Sequence, residues 1–292
     1  MLAYDVVNTV VLIGILGLVV VAYSFRLVFR GRAQFDRVEK QGGSVLLGKG
    51  LMEMAYWALQ PVARFLIFLK ITPNQLSWAS LVLGGMAGTA LAYGYFGFGA
   101  LFSTYSAFLD TLDGMVARAT GVASDAGEVL DAAVDRYVEF FFLTGVILYY
   151  REMPTFQTVA LLALVGSFMI SYSTAKAEAL HIPPPPGIMR RPERAFYLTL
   201  GAALSPIPMP WLDTLFNVAL PVPGYPLIIA CFVIAVLANI SAIERLWTIG
   251  RMMREKEHAA EENLIAQESL SFVQNKSEDS GDEEYSPQTP RR

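Results

Sequence analysis

The sequence predicts an all-α integral membrane protein, and three observations carry that expectation. The 292 residues are 54% hydrophobic and only 16% charged, with mean hydropathy +0.44, where soluble domains carry about a quarter charged residues. Seven apolar runs are candidate membrane spans. The carboxylates inside them are concentrated in two adjacent runs rather than scattered. One cysteine, Cys231, and two histidines, His181 and His258, exclude an internal disulfide and a cysteine- or histidine-based metal centre.

In chain order the runs are Val6–Val28, Gln75–Phe96, Gly99–Thr120, Val129–Tyr150, Thr155–Ser173, Arg194–Pro208 and Tyr225–Ile243. The first reads as an uncleaved anchor, because Met1–Asp5 hold no Lys or Arg and no small-residue cleavage site follows. The sixth is short and ends in the proline-rich Pro206–Pro210. Basic residues fall at Arg26, Arg30, Arg32, Arg37, Lys40 and Lys49, again at Lys176 and Arg190–Arg194, and after the last run at Arg245, Arg251 and Arg254. The positive-inside rule then places the amino terminus outside, the carboxyl terminus in the cytosol, and the link between the third and fourth runs on the cytosolic side.

Between the first two runs, Leu51–Lys70 alternates an apolar face (Met52, Tyr56, Leu59, Phe65) with Glu53, Gln60 and Arg64. This predicts an amphipathic helix on the cytosolic leaflet, with Trp57 at headgroup depth. Pro61 should break or kink it. Thr72 and Pro73 then read as a helix cap and first position. Gly84, Gly85 and Gly88 permit close helix approach, a packing role.

The third and fourth runs hold Asp110, Asp113, Asp131 and Asp135. Spacings of three and four put each pair on one helix face. An intramembrane carboxylate costs roughly 2.5–3.5 kcal/mol on insertion scales, so the four need a cation. All-oxygen ligation suits Mg²⁺, Mn²⁺ or Ca²⁺ rather than zinc.

The full pattern is D-x2-D-G-x2-A-R-x8-G-x3-D-x3-D, at Asp110, Asp113, Gly114, Ala117, Arg118, Gly127, Asp131 and Asp135. It resembles the signature of the CDP-alcohol phosphotransferases, membrane enzymes that build phospholipids from a CDP-linked donor. The resemblance covers about Leu51 to Arg251. It implies a six-helix transmembrane core, to which the first span is an extra N-terminal helix and the amphipathic segment a cytosolic interfacial one. It also implies two Mg²⁺ or Mn²⁺ ions held by Asp110, Asp113 and Asp131, with Asp135 near the second ion and acting as the base. Two such ions can clamp the attacking and leaving oxygens of a phosphoryl transfer. The CDP donor would be held by Thr72, Pro73, Asn74, Gln75, Gly114, Ala117, Arg118 and Ser124. Gly114 permits close approach of the nucleotide, and Arg118 can pair with its pyrophosphate in a bidentate way.

Within the family, Ser171–Ala179 and Gly187–Arg194 are most similar to bacterial phosphatidylinositol-phosphate synthases. That implies CDP-diacylglycerol as donor and inositol phosphate as acceptor, bound by Arg194 and Arg245, with Lys176 or Arg191 compensating for a lysine replaced by Thr174. Arg190 reads as an ordinary cytosolic-side charge. Pro183–Pro186 reads as a stiff spacer. Glycerol 3-phosphate and free inositol are the alternative acceptors. Outside the enzyme class, a metal-coupled transporter is the rival, which predicts acids spread over several spans and an internal repeat.

The expected organisation is an anchor (1–30), a basic linker with the interfacial helix (31–70), the phosphotransferase domain (71–250) and an acidic, disordered cytosolic tail (251–292). From Glu255 onward the chain has ten acids against four Lys and Arg. Membrane lipids and a second copy of the chain are expected partners, nucleic acid is not, and a bacterial inner membrane is the expected location.

Overall fold

Eight helices order the described residues. The computed structural model describes residues 2–32, 48–183, 185, 187–207 and 224–279. The helices are α1 (Leu2–Arg30), α2 (Lys49–Phe68), α3 (Pro73–Ala92), α4 (Phe96–Thr120), α5 (Asp125–Tyr149), α6 (Pro154–Ala179), α7 (Arg191–Leu204) and α8 (Tyr225–Asp279). No strand occurs among the described residues. The linker at 33–47, parts of the Pro183–Pro186 spacer, the chain at 208–223 and the tail past Asp279 lie outside them.

By length and composition, α1, α6 and α8 can cross a membrane, where the hydropathy reading expects seven spans. The central helices α3, α4 and α5 have 20, 25 and 25 residues. Glycine, serine and aspartate take the place of apolar residues in them. Helix α7 has 14 residues, short of the roughly 20 that a spanning helix needs.

Helix α3 is the hinge of the core. It packs closely on both α4 and α5, whereas α4 and α5 scarcely touch. Its glycines make this possible. A Cβ at Gly88 would overlap the Phe141 carbonyl, and one at Gly145 would overlap the Gly88 carbonyl. Gly84 sits under Val138, and a Cβ there would lie 2.8 Å from it. Gly85 has only one atom, on Phe141, within contact range. The packing role expected of these glycines therefore has a partner, α5.

A second unit is the pairing of α6 with α8, which α7 joins. Ala160, Ala163, Ala238 and Cys231 are buried there in the main hydrophobic core. Helix α1 docks on α4. Asp5 is buried and accepts from the Phe98 backbone N–H at 3.0 Å. It thereby satisfies an end group of α4, whose own preceding residue Tyr95 provides no side-chain cap.

Of the break or kink expected at Pro61, the break does not occur: helix α2 continues through it. The proline removes one intrahelical bond, but Leu59 and Ala63 on either side pack against Leu76, Leu112 and Val116 and hold the helix together. The buried face is Glu53, Leu59 and Ala63, while Phe65 points outward. Glu53 accepts from the Tyr23 hydroxyl at 3.3 Å.

Helix α8, with 55 residues, continues far beyond Ile243 and into the segment read as disordered, as far as Asp279, which corrects that reading for the described residues. At about 1.5 Å per residue it is about 80 Å long, against about 30 Å of hydrocarbon. Glu, Lys, Arg, Ala and Met dominate 251–262, and their helix propensity carries the chain on after the apolar residues end.

Candidate active site

The aspartates meet where α4 and α5 converge across α3. Carboxylate oxygens of Asp110, Asp131 and Asp135 all lie within 4.8 Å of one another. Asp113 is turned aside. It is buried and accepts from the Ser77 hydroxyl of α3 at 2.6 Å. Helix geometry explains the split. Residues three apart are offset by about 60° around the axis and residues four apart by about 40°, so Asp110 and Asp113 diverge more than Asp131 and Asp135.

Three carboxylates this close repel one another unless cations intervene. The donor set is all oxygen and suits a hard divalent ion. Arg191, at the start of α7, also supplies positive charge. Its Nη2 is 3.4 Å from Asp110 Oδ1, and the same guanidinium pairs with Asp135.

Beside the aspartates is a cavity of about 440 Å³. Asp131, Asp135, Arg136 and Glu139 of α5 line it together with Thr174, Arg190, Arg191, Arg194 and Arg245. Arg245 is buried and donates to Thr174 Oγ1 at 3.0 Å, while its Nε has no hydrogen-bond partner. A Cβ at Gly187 would fall on this guanidinium, so the glycine lets the loop pass over it.

The other anticipated residues have local partners. Thr72 and Gln75 form a reciprocal capping box at the start of α3. In it Gln75 N–H donates to Thr72 Oγ1 at 3.4 Å and Thr72 N–H to Gln75 Oε1 at 2.9 Å. Ser124 caps α5 by accepting from Gly127 N–H at 3.2 Å. Arg118 folds back over Gly114, where a Cβ would lie 3.0 Å from its Nη1. The space that glycine opens on α4 is thus filled by the arginine.

The basic residues read as acceptor contacts separate into two groups. Arg191 and Arg245 line the cavity. Lys176 is exposed and does not line it, because Lys176 lies on a different face of α6 from Thr174. Arg194 lines the cavity but is 1% exposed and is engaged by Glu139, Nε to Oε1 at 2.7 Å and Nη2 to Oε2 at 3.1 Å. The reason is distance along α5: Glu139 is one turn beyond Asp135 and meets α7 one turn beyond Arg191.

Sequence reasoning missed Glu139 and Ser77, and set Arg190 aside. Glu139 extends the four-residue spacing of Asp131 and Asp135 within an apolar run, which is a usable signal. Ser77 gives none.

Residues 70–223 match the family model described as CDP-alcohol phosphatidyltransferase. The chain belongs to this family. It is 33% identical over 171 residues to the phosphatidylinositol phosphate synthase of Corynebacterium glutamicum, covering 57% of this chain and 78% of that protein. The enzyme of the same name from Mycolicibacterium smegmatis is 31% identical over 196 residues, covering 65% and 82%. A crystal structure of the Mycobacterium tuberculosis phosphatidylinositol phosphate synthase with manganese and citrate matches with a TM-score of 0.57 at 27% identity, over 65% of this chain and 87% of that one. The structure of that enzyme with CDP-DAG bound gives 0.56, also at 27% identity, over 65% and 92%. As a CDP-alcohol phosphatidyltransferase the protein is a membrane transferase of phospholipid biosynthesis, and the transporter reading is set aside.

Proposed function

We propose that this phosphatidyltransferase moves the phosphatidyl group of CDP-diacylglycerol onto a hydroxyl of a phosphorylated polyol, with inositol phosphate the best fit, and releases CMP. The observation that carries the reading is the cavity, where Asp131 and Asp135 face Arg190, Arg191 and Arg245. The carboxylates suit cations and the reacting hydroxyl. The arginines suit an anionic acceptor. The names of the Corynebacterium and Mycolicibacterium relatives support the same acceptor.

Asp110, Asp131 and Asp135, with Asp113 behind them, would hold two Mg²⁺ or Mn²⁺ ions, which when bound stabilise the charge on the phosphoryl oxygens. Asp135 takes the proton of the acceptor hydroxyl as its oxygen attacks the lipid-bearing phosphorus, and the bond to CMP breaks. Arg118 and the Thr72–Gln75 turn are assigned to the donor nucleotide, at the start of α3 beside Ser77 and Asp113. Arg191 and Arg245 hold the acceptor phosphate. A homodimer in a bacterial inner membrane is part of this reading.

CMP release by purified protein with CDP-diacylglycerol and a panel of acceptors tests it. Inositol phosphate should exceed free inositol by about ten- to a hundredfold in kcat/KM, since a charge-assisted contact contributes roughly 1.5–3 kcal/mol. Equal use of inositol would show that the acceptor phosphate is not recognised, and preference for glycerol 3-phosphate would reassign the polyol.

The distribution of basic residues supports a cytosolic aspartate site in this reading. With Cys231 replaced, Val122→Cys in the exposed link between α4 and α5 should react with impermeant thiol reagents only after the membrane is opened. Tyr93→Cys, at the opposite end of α4, should react in intact cells. Both side chains are exposed, at 58% and 77%. The reverse labelling pattern would invert the topology.

A further inference from the structure

Glu139 and Arg194 belong to no step of the transfer just described, yet they form the most buried ion pair beside it. The carboxylate and guanidinium meet in a two-pronged contact, at 2.7 and 3.1 Å. The third nitrogen, Nη1, donates to the Met189 carbonyl at 2.9 Å. Met189 is 1% exposed and holds φ at 64°, in the left-handed region that favours glycine. The pair therefore ties three things together: α5 one turn beyond Asp135, the first turn of α7, and the strained loop that enters α7.

Arg191 and Arg194 are three apart on α7, and Asp135 and Glu139 four apart on α5, so the two ion pairs are successive rungs between the helices. The inner rung carries no net charge and is shielded from water. Its contribution to drawing in an anion is accordingly small. What it can do is set where the outer rung stands. Moving a positioned charge by about 1 Å can cost a hundredfold in rate.

We propose that Glu139 is a positioning residue for acceptor binding: its pair with Arg194 fixes the start of α7 so that Arg190 and Arg191 face the cavity over the aspartates. The inference rests on the acceptor site proposed above. It departs from the expectation that Arg194 itself grips the acceptor phosphate.

A double-mutant cycle decides between the two roles. Glu139→Gln and Arg194→Met should each raise the acceptor KM about tenfold. The KM for CDP-diacylglycerol and the Mn²⁺ affinity, read by titration without turnover, should stay within about twofold. The double variant should be no worse than either single one, because both remove the same rung. Should Arg194 be the phosphate ligand, Glu139→Gln would release it and leave the acceptor KM unchanged or lower, and the proposal is overturned. Uniform loss of activity with both KM values unaltered would show a merely structural pair and also overturn it. If the single variants do not accumulate, Glu139→Asp keeps the charge but withdraws the carboxylate by one methylene, and it too should raise the acceptor KM; no change would count against the idea. A second readout does not depend on the identity of the acceptor. With Cys231 replaced, Met189→Cys should be shielded from thiol reagents and react about tenfold faster once Glu139→Gln is added. Equal rates would overturn the positioning role even in a protein whose acceptor had been misassigned.

Discussion

Protein purified in EDTA should release no CMP, and Mg²⁺ or Mn²⁺ should restore it. Asp110→Ala and Asp131→Ala should each lower kcat by roughly a thousandfold or more, since ion-stabilised charge in the transition state is worth several kcal/mol. The oxygens of these two residues lie within 4.8 Å of each other and of Asp135, so removing one carboxylate relieves repulsion and the fold should survive, as circular dichroism would verify. Asp113→Ala should be as inactive and also less stable, because it removes the buried hydrogen bond that ties α4 to α3 and leaves the Ser77 hydroxyl only the Pro73 carbonyl of its own helix. Undiminished turnover in chelator would sink the metal assignment.

The second large effect separates a base from a ligand at Asp135. Asp135→Asn preserves shape but cannot accept the acceptor's proton, so kcat should fall roughly a hundred- to ten-thousandfold while CDP-diacylglycerol still binds. Asp135 also shares the carboxylate cluster with Asp110 and Asp131, and the rate is therefore to be followed as Mn²⁺ is raised. Recovery at high Mn²⁺ would mean that the residue only holds an ion. Failure to recover, with donor binding intact, identifies the proton acceptor.

Part of this site was legible before any fold was known. Asp131 and Asp135 share a face because four residues are close to one helical turn, and the cost of carboxylates in lipid made a cation necessary. Asp110 met them as the pattern implied. Asp113 did not join the cluster of oxygens: three residues from Asp110, it is offset by about 60° around α4 and meets Ser77 of α3, a residue whose type carries no signal. Gly84 and Gly88 announced close packing, but their partner on α5 could not be read from α3 alone. The end of α8 was misread for a different reason: hydropathy stops at Ile243, whereas helix propensity does not.

The sequence by itself determined the membrane class and the family, because these rest on local periodicity and on residue chemistry that no packing can alter. Only the tertiary structure decided which carboxylate each cavity-lining arginine meets. Arg190, Arg191 and Arg194 are near neighbours in sequence with the same charge, and nothing local distinguishes them. Arg194 is engaged because α7 crosses α5 where Glu139 lies 55 residues earlier, while Arg191 reaches the aspartates one turn away. A contact between distant positions is set by how helices cross, and that crossing is a property of the packed bundle.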